Sequence, residues 1–142
     1  MALRAGIVVA VLATFLIAIH LQLFDSYRAC GNFPVNVRVV GAPYRQMNYQ
    51  TAETEDDAKG FVDFMTEDPG DSPKATQVNP TTSQIQVPVS FVKDVFMPRA
   101  QRQQPGYAAI AITLLSGKVI TRAVKLPNNS NTPLLVTIDK GE

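Results

Sequence analysis

The chain has 142 residues, 46% of them hydrophobic, with thirteen basic against twelve acidic side chains, one cysteine and one histidine. A near-neutral balance excludes the broad basic footprint of a nucleic-acid binder. A single cysteine excludes an intrachain disulfide, and one histidine leaves no His/Cys cluster for zinc or copper.

The stretch Ala5 to Phe24 contains no Asp, Glu, Lys or Arg, and its polar residues are Thr14, His20 and Gln22. About twenty helical residues rise roughly 30 Å, the thickness of a bilayer's hydrocarbon core, so residues 1–24 are expected to be a transmembrane anchor. A cleaved signal peptide needs small residues just before the cut. Tyr27-Arg28-Ala29 carries a bulky Tyr where a small residue belongs, and Ala18-Ile19-His20 has the opposite fault. Lipid attachment at Cys30 would need the cysteine right after the apolar run, and Asp25-Ser26-Tyr27-Arg28 intervenes. The expectation is a retained signal-anchor. Arg4 and the amino terminus outweigh Asp25 against Arg28, which favours a domain on the periplasmic or extracellular side.

Within the span, Gly6, Ala10, Thr14 and Ala18 recur every fourth residue and form a ridge of small side chains. Such ridges let helices approach closely in lipid, where packing drives association. The opposite side is expected to carry Val8, Val11, Leu12, Phe15 and Ile19. An ionisable residue in a span is a functional candidate, and a neutral His20 there could ligate a pigment or haem metal. At about one turn from the end of the span, its ordinary reading is interfacial.

Residues 25–32 read as a juxtamembrane linker and residues 33–142 as one β domain, large enough to bury its own core. Phe33, Val35, Val37 and Val39 alternate with polar neighbours, as in a half-buried strand that Gly41-Ala42-Pro43 stops. Residues 44 to 59 show no apolar period and end in an acidic run. Phe61-Val62-Asp63-Phe64-Met65 is expected as a short strand. Residues 66 to 83, with Asp68-Pro69-Gly70, Pro73 and Pro80, read as a long loop, of the kind that is functional or disordered. Ile85, Val87, Val89 and Phe91 make the second clear strand, with Pro88 on its polar face. Met97 to Gly106 reads as loop. Tyr107 to Leu115 and Lys118 to Leu126 flank Ser116-Gly117 as a hairpin with a two-residue turn, Ala108, Ile110, Ile112 and Leu114 lining one side. An Asn-rich turn and a last strand, Leu134 to Ile138, follow.

Six or so strands and no soluble helix predict a mainly β protein: an N-terminal transmembrane helix followed by a small antiparallel β-sandwich, or alternatively a small barrel. The opening strand, long loop, Gly-Phe-Val-Asp-Phe segment and terminal hairpin resemble prealbumin-like domains of the carboxypeptidase-regulatory type. The resemblance covers about half of the chain, implies a fold and carries no site residues.

Chemistry finds little footing. The sole histidine lies in the apolar span, which excludes a His-based triad in the outer domain. Asp63, Glu67 and Asp68 sit in or beside flexible sequence, where burial has no means of raising a carboxyl pKa. Glu53, Glu55, Asp56 and Asp57 ahead of Gly60 are an oxygen-rich set that calcium could use, at a spacing unlike an EF-hand; an exposed acidic loop is the ordinary reading. Charge is uneven: Glu53, Glu55, Asp56, Asp57, Asp63, Glu67, Asp68 and Asp71 face Lys59 alone. From Lys93 on, Lys93, Arg99, Arg102, Lys118, Arg122, Lys125 and Lys140 face only Asp94, Asp139 and Glu142. No catalytic residue, resident metal or cofactor is expected. The expected partners are the lipid bilayer and other membrane-protein subunits, with no nucleic acid. The leading reading is a non-catalytic accessory subunit of a membrane complex, of the kind found in photosynthetic or respiratory assemblies. The alternative is a free-standing, membrane-anchored envelope protein whose loops bind a soluble ligand, peptide or glycan.

Overall fold

The computed structural model describes residues 2–20 and 23–139; Gln22, Lys140 and Glu142 lie outside the described residues. The protein is mainly β, with an apolar N-terminal helix and two open sheets that pack as a small sandwich. The chain divides into two compact units. One comprises residues 1–30 and 90–103, the other residues 31–89 and 104–142.

The larger unit holds the sandwich. Strand β1 (Tyr27–Val40) reaches it at Gly31, as β4 (Thr82–Lys93) leaves it at Val89. In the first sheet β1 lies between β4 and β8 (Leu134–Thr137), with β3 (Thr76–Asn79) beyond β4. The second sheet has the order β2 (Tyr44–Ala52), β6 (Tyr107–Leu114), β7 (Val119–Lys125). The β1–β8 pair is parallel, Val37 opposite Leu134 and Val39 opposite Val136, so the first sheet is mixed and not purely antiparallel. Val35, Val37, Ile85 and Val87 of the first sheet meet Met47, Ile110 and Ile112 of the second in one fully buried core. Two tyrosines of β2 stitch the layers. The Tyr44 hydroxyl shares a buried 2.7 Å hydrogen bond with that of Ser83, and the Tyr49 hydroxyl accepts from the Gln86 backbone N–H at 3.2 Å.

The expected strand at Phe61–Met65 is instead part of helix α2 (Glu55–Glu67), and the soluble part of the chain therefore does contain a helix. Ala58, Phe61, Val62 and Met65 fall at the i, i+3, i+4, i+7 spacing of a helical stripe. That stripe packs on Ala109, Ala111 and Val119, the outer face of the second sheet. Strand β6 is consequently buried on both faces, and the alternation expected there extends to a second, equally dry row. Thr54 caps the helix. Its hydroxyl oxygen accepts from the Asp57 N–H at 3.2 Å and its O–H donates to the Asp57 carboxylate at 2.7 Å. The acidic residues Glu55, Asp56 and Asp57 thus fill the first helical turn, where the backbone dipole favours negative charge.

Residues 44–52, without apolar period, form β2. A register shift between Tyr44 and Gln46 breaks the alternation, and the buried Asn48 is satisfied by donating to the Ser72 carbonyl at 2.8 Å and accepting from Gln46 at 2.7 Å. Part of the expected 66–83 loop is ordered as a 3₁₀ turn (Pro69–Asp71) and β3. The hairpin turn has three residues, not two: Leu115 leaves the strand, the Leu114 N–H bonds to the Lys118 carbonyl at 2.8 Å, and Gly117 supplies the positive φ of +89°. Of the expected core, Val89, Phe61 and Leu134 are only half-buried.

The smaller unit contains helix α1 (Ala2–His20), the near part of β1 and the far part of β4, which pairs with β5 (Gln101–Gln103) where loop was expected. Strand β1 starts at Tyr27, inside the stretch 25–32 read as a linker.

Candidate docking face on the N-terminal helix

Helix α1 is built from residues that favour helix in lipid and leave no charge between Ala5 and His20. Its 19 residues extend about 28 Å at 1.5 Å per residue, enough for the hydrocarbon core. The window Leu3–His20 has the length and composition to cross a membrane, and none of it is buried within the structure. Ile7, Val9, Val11, Leu16 and Ile17 are each more than half exposed on different sides, so the surface is apolar all round, as expected of a helix whose solvent is lipid.

The helix does not continue to Phe24. The Leu23 N–H bonds back to the Ala18 carbonyl at 3.0 Å, and the Phe24 ring lies 6.0 Å from that of Phe15. Residues nine apart on a continuous helix would lie on opposite sides and about 13 Å apart along the axis, so Leu23 and Phe24 do not continue it.

A groove lies between Phe24 and the helix. Ala10, Thr14 and Ala18, three of the four ridge residues, form its floor, and Val11, Phe15 and Phe24 complete the lining of a hollow of about 390 Å³. Gly6 lies one turn further on, and a Cβ built on it meets nothing within 4 Å. The Thr14 hydroxyl donates to the Ala10 carbonyl at 2.9 Å, so its polar hydrogen is satisfied within the helix. Val11 and Phe15, expected on the opposite side, share the groove with the ridge. At about 100° per residue, each stands just beside a ridge position, and the true far side carries Val8, Leu12 and Ile19.

His20 is the last residue of α1 and is exposed. A cation there would complement the negative end of the helix dipole, which suits an interfacial place. The acidic set does not gather around a point. Glu55 pairs with Lys59 at 2.9 Å along the helix and raises its amine pKa, while Asp57 is engaged by Thr54. Asp56, Asp57 and Asp71 border an open hollow of about 720 Å³ beside Phe61 and Phe64. Among the described residues, no group of three or more His, Cys, Asp or Glu side chains converges in a way that could hold a metal ion. Cys30 is exposed and unpaired by any disulfide.

No protein-family model, curated protein or solved structure matches this chain.

Proposed function

We propose that this protein is a non-catalytic, single-span accessory subunit of a larger membrane protein complex. Helix α1 docks on a partner helix through Gly6, Ala10, Thr14 and Ala18, and the β domain lies over the partners' surface on the periplasmic or extracellular side. Photosynthetic and respiratory assemblies are the proposed setting. The observation that carries this reading is the groove on α1, a hollow of about 390 Å³ with a small-residue floor and the Thr14 hydroxyl hydrogen satisfied within the helix. In lipid, association rests on such close packing, because burial of apolar surface alone gives helices no advantage over lipid tails.

The test is co-purification in mild detergent. Ala10→Leu and Thr14→Leu fill the groove with side chains that must push a partner helix away, forfeiting dispersion contacts along the seam. Both variants are expected to stay in the membrane and to lose stoichiometric companions. Val8→Leu enlarges a side chain two residues from Ala10, about 200° round the helix, and is expected to leave the companions in place. Purification of the unsubstituted protein as a lone monomer, or companions undiminished by both groove variants, would overturn the proposal.

A further inference from the structure

The smaller unit carries a second apolar feature that helix docking does not use. The turn Asp94–Met97, at the end of β4, is closed by a 3.1 Å hydrogen bond from the Met97 N–H to the Asp94 carbonyl. Its tip presents Val95 and Phe96, the latter 70% exposed. Phe96 is the one non-glycine among the described residues with positive φ, at +71°. An aromatic residue held in the left-handed region is a rare outlier that persists only where surrounding structure fixes it.

What fixes it is the segment that follows α1. The Phe96 N–H donates to the Leu23 carbonyl, and the Phe96 ring meets the Phe24 ring edge-on at 5.9 Å. Phe24 in turn rests 6.0 Å from Phe15. Phe15 lies five residues before His20, about 7.5 Å below the end of the helix. The three rings thus link the turn to the last turn and a half of α1. Basic residues flank this apolar tip: Arg28, Lys93, Arg99 and Arg102 stand against Asp25 and Asp94 in residues 23–30 and 90–103, a net charge of +2. Lys93 itself is nearly buried, its ammonium donating to the Asp25 carbonyl.

We infer that the Asp94–Met97 turn is a second membrane contact, with Val95 and Phe96 entering the bilayer's interfacial layer near the end of α1 and the side chains of Arg28 and Arg99 level with the phosphates. The inference rests on reading α1 as a span. If α1 crosses the bilayer, the depth of Phe96 is set by its links to Leu23 and Phe24, and the surrounding medium at that depth is lipid. Aromatic side chains are favoured at this level, and basic ones face anionic headgroups. Such a contact fixes the roll of the anchor.

The chain contains no tryptophan, so a single indole reports its own surroundings. The full-length Phe96→Trp variant is reconstituted in phosphatidylcholine vesicles containing acyl-chain-brominated phosphatidylcholine. Blue-shifted emission, strong quenching by the brominated lipid and several-fold weaker quenching by aqueous iodide than in Phe64→Trp, on α2, are expected. Val95→Trp leaves the Phe96 backbone as it is and is expected to behave alike. Iodide quenching equal to that of Phe64→Trp, with no effect of bromine, overturns the inference. So does an indole shielded from both quenchers, which would mean that protein covers the turn. Alkaline carbonate extraction of the unsubstituted protein separates the two levels of failure. Release from the membrane refutes the span itself, whereas retention with a wet indole refutes the turn contact alone.

Discussion

Two glycine-to-alanine substitutions in the sandwich unit should change stability in opposite directions. Gly41 ends β1 with φ of +111°, and a Cβ placed on it would sit 2.1 Å from the Ile138 carbonyl oxygen. An alanine there pays about 1–2 kcal/mol for the left-handed backbone. It must also drive residue 138 away by about 1 Å to reach an ordinary contact distance. That movement breaks the 2.8 Å bond from the Ile138 N–H to the Val40 carbonyl and loosens a side chain that is 5% exposed. A lost hydrogen bond adds about 1 kcal/mol, and the smaller unfolded-state entropy of alanine returns less than that, for a net loss of roughly 1–3 kcal/mol. Gly60 lies inside α2 with nothing within 4 Å of a built Cβ. Gly60→Ala removes the helix-interior glycine penalty and should stabilise by about 0.5–1 kcal/mol. Thermal unfolding of the full-length protein in mild detergent, followed by near-ultraviolet circular dichroism of its tyrosines, should show midpoints displaced to opposite sides of the unsubstituted protein. A Gly41→Ala midpoint at or above the unsubstituted value would mean that residue 138 does not lie against Gly41, and the parallel register of β1 and β8 would fall with it.

Further expectations concern the core and the cap. Ile112→Ala removes about three methylene equivalents from a fully buried site between Met47 and Ile120 and should cost about 2–5 kcal/mol in the same unfolding measurement. An unchanged midpoint would show that the strand phase is wrong. Thr54→Ala deprives α2 of its N-cap and should cost about 1 kcal/mol, visible as faster amide exchange at Ala58 and its neighbours than in the unsubstituted protein. Thr54→Ser keeps the acceptor oxygen and should exchange nearly as slowly as the original.

The elements legible in the sequence are those whose side chains alternate against one buried face. Val35, Val37 and Val39, then Ile85 and Val87, then Ile110 and Ile112, all point into the sandwich core with the phase their spacing implies. Helix α2 escaped because five apolar-rich residues, Phe61 to Met65, fit either period, and Gly60 argued against a helix. The informative signal was upstream, in Thr54 and Asp57 at capping-box spacing ahead of Ala58, Phe61, Val62 and Met65. Reading the acidic run as a loop hid the start of the helix it marks. Strand β2 escaped for a different reason. Its bulge shifts the register, and two of its buried positions, Tyr44 and Asn48, are polar groups satisfied by Ser83 and Ser72, partners more than twenty residues away. On α1 the spacing gave the small ridge directly. The wall that Phe24 adds to it depends on a placement beside Phe15 that no local pattern encodes, and the same holds for the left-handed backbone at Phe96.

The parallel pairing of β1 with β8 has a consequence for the order of assembly. Parallel neighbours cannot be joined by a tight turn, and here residues 41–133 separate the two strands. Local hairpins such as β6–β7 can zip on emergence from the ribosome, but β1 keeps an open edge until almost all of the remaining domain has been synthesised. During that wait its unpaired N–H and C=O groups are a template for strands of other chains. Closing so long a loop carries the largest entropic cost of any pairing in the first sheet, which makes it a late event. Interruption or slowing of synthesis upstream of Leu134 should therefore yield a species with an adhesive edge, and quality control of this protein amounts to surveillance of one four-residue strand.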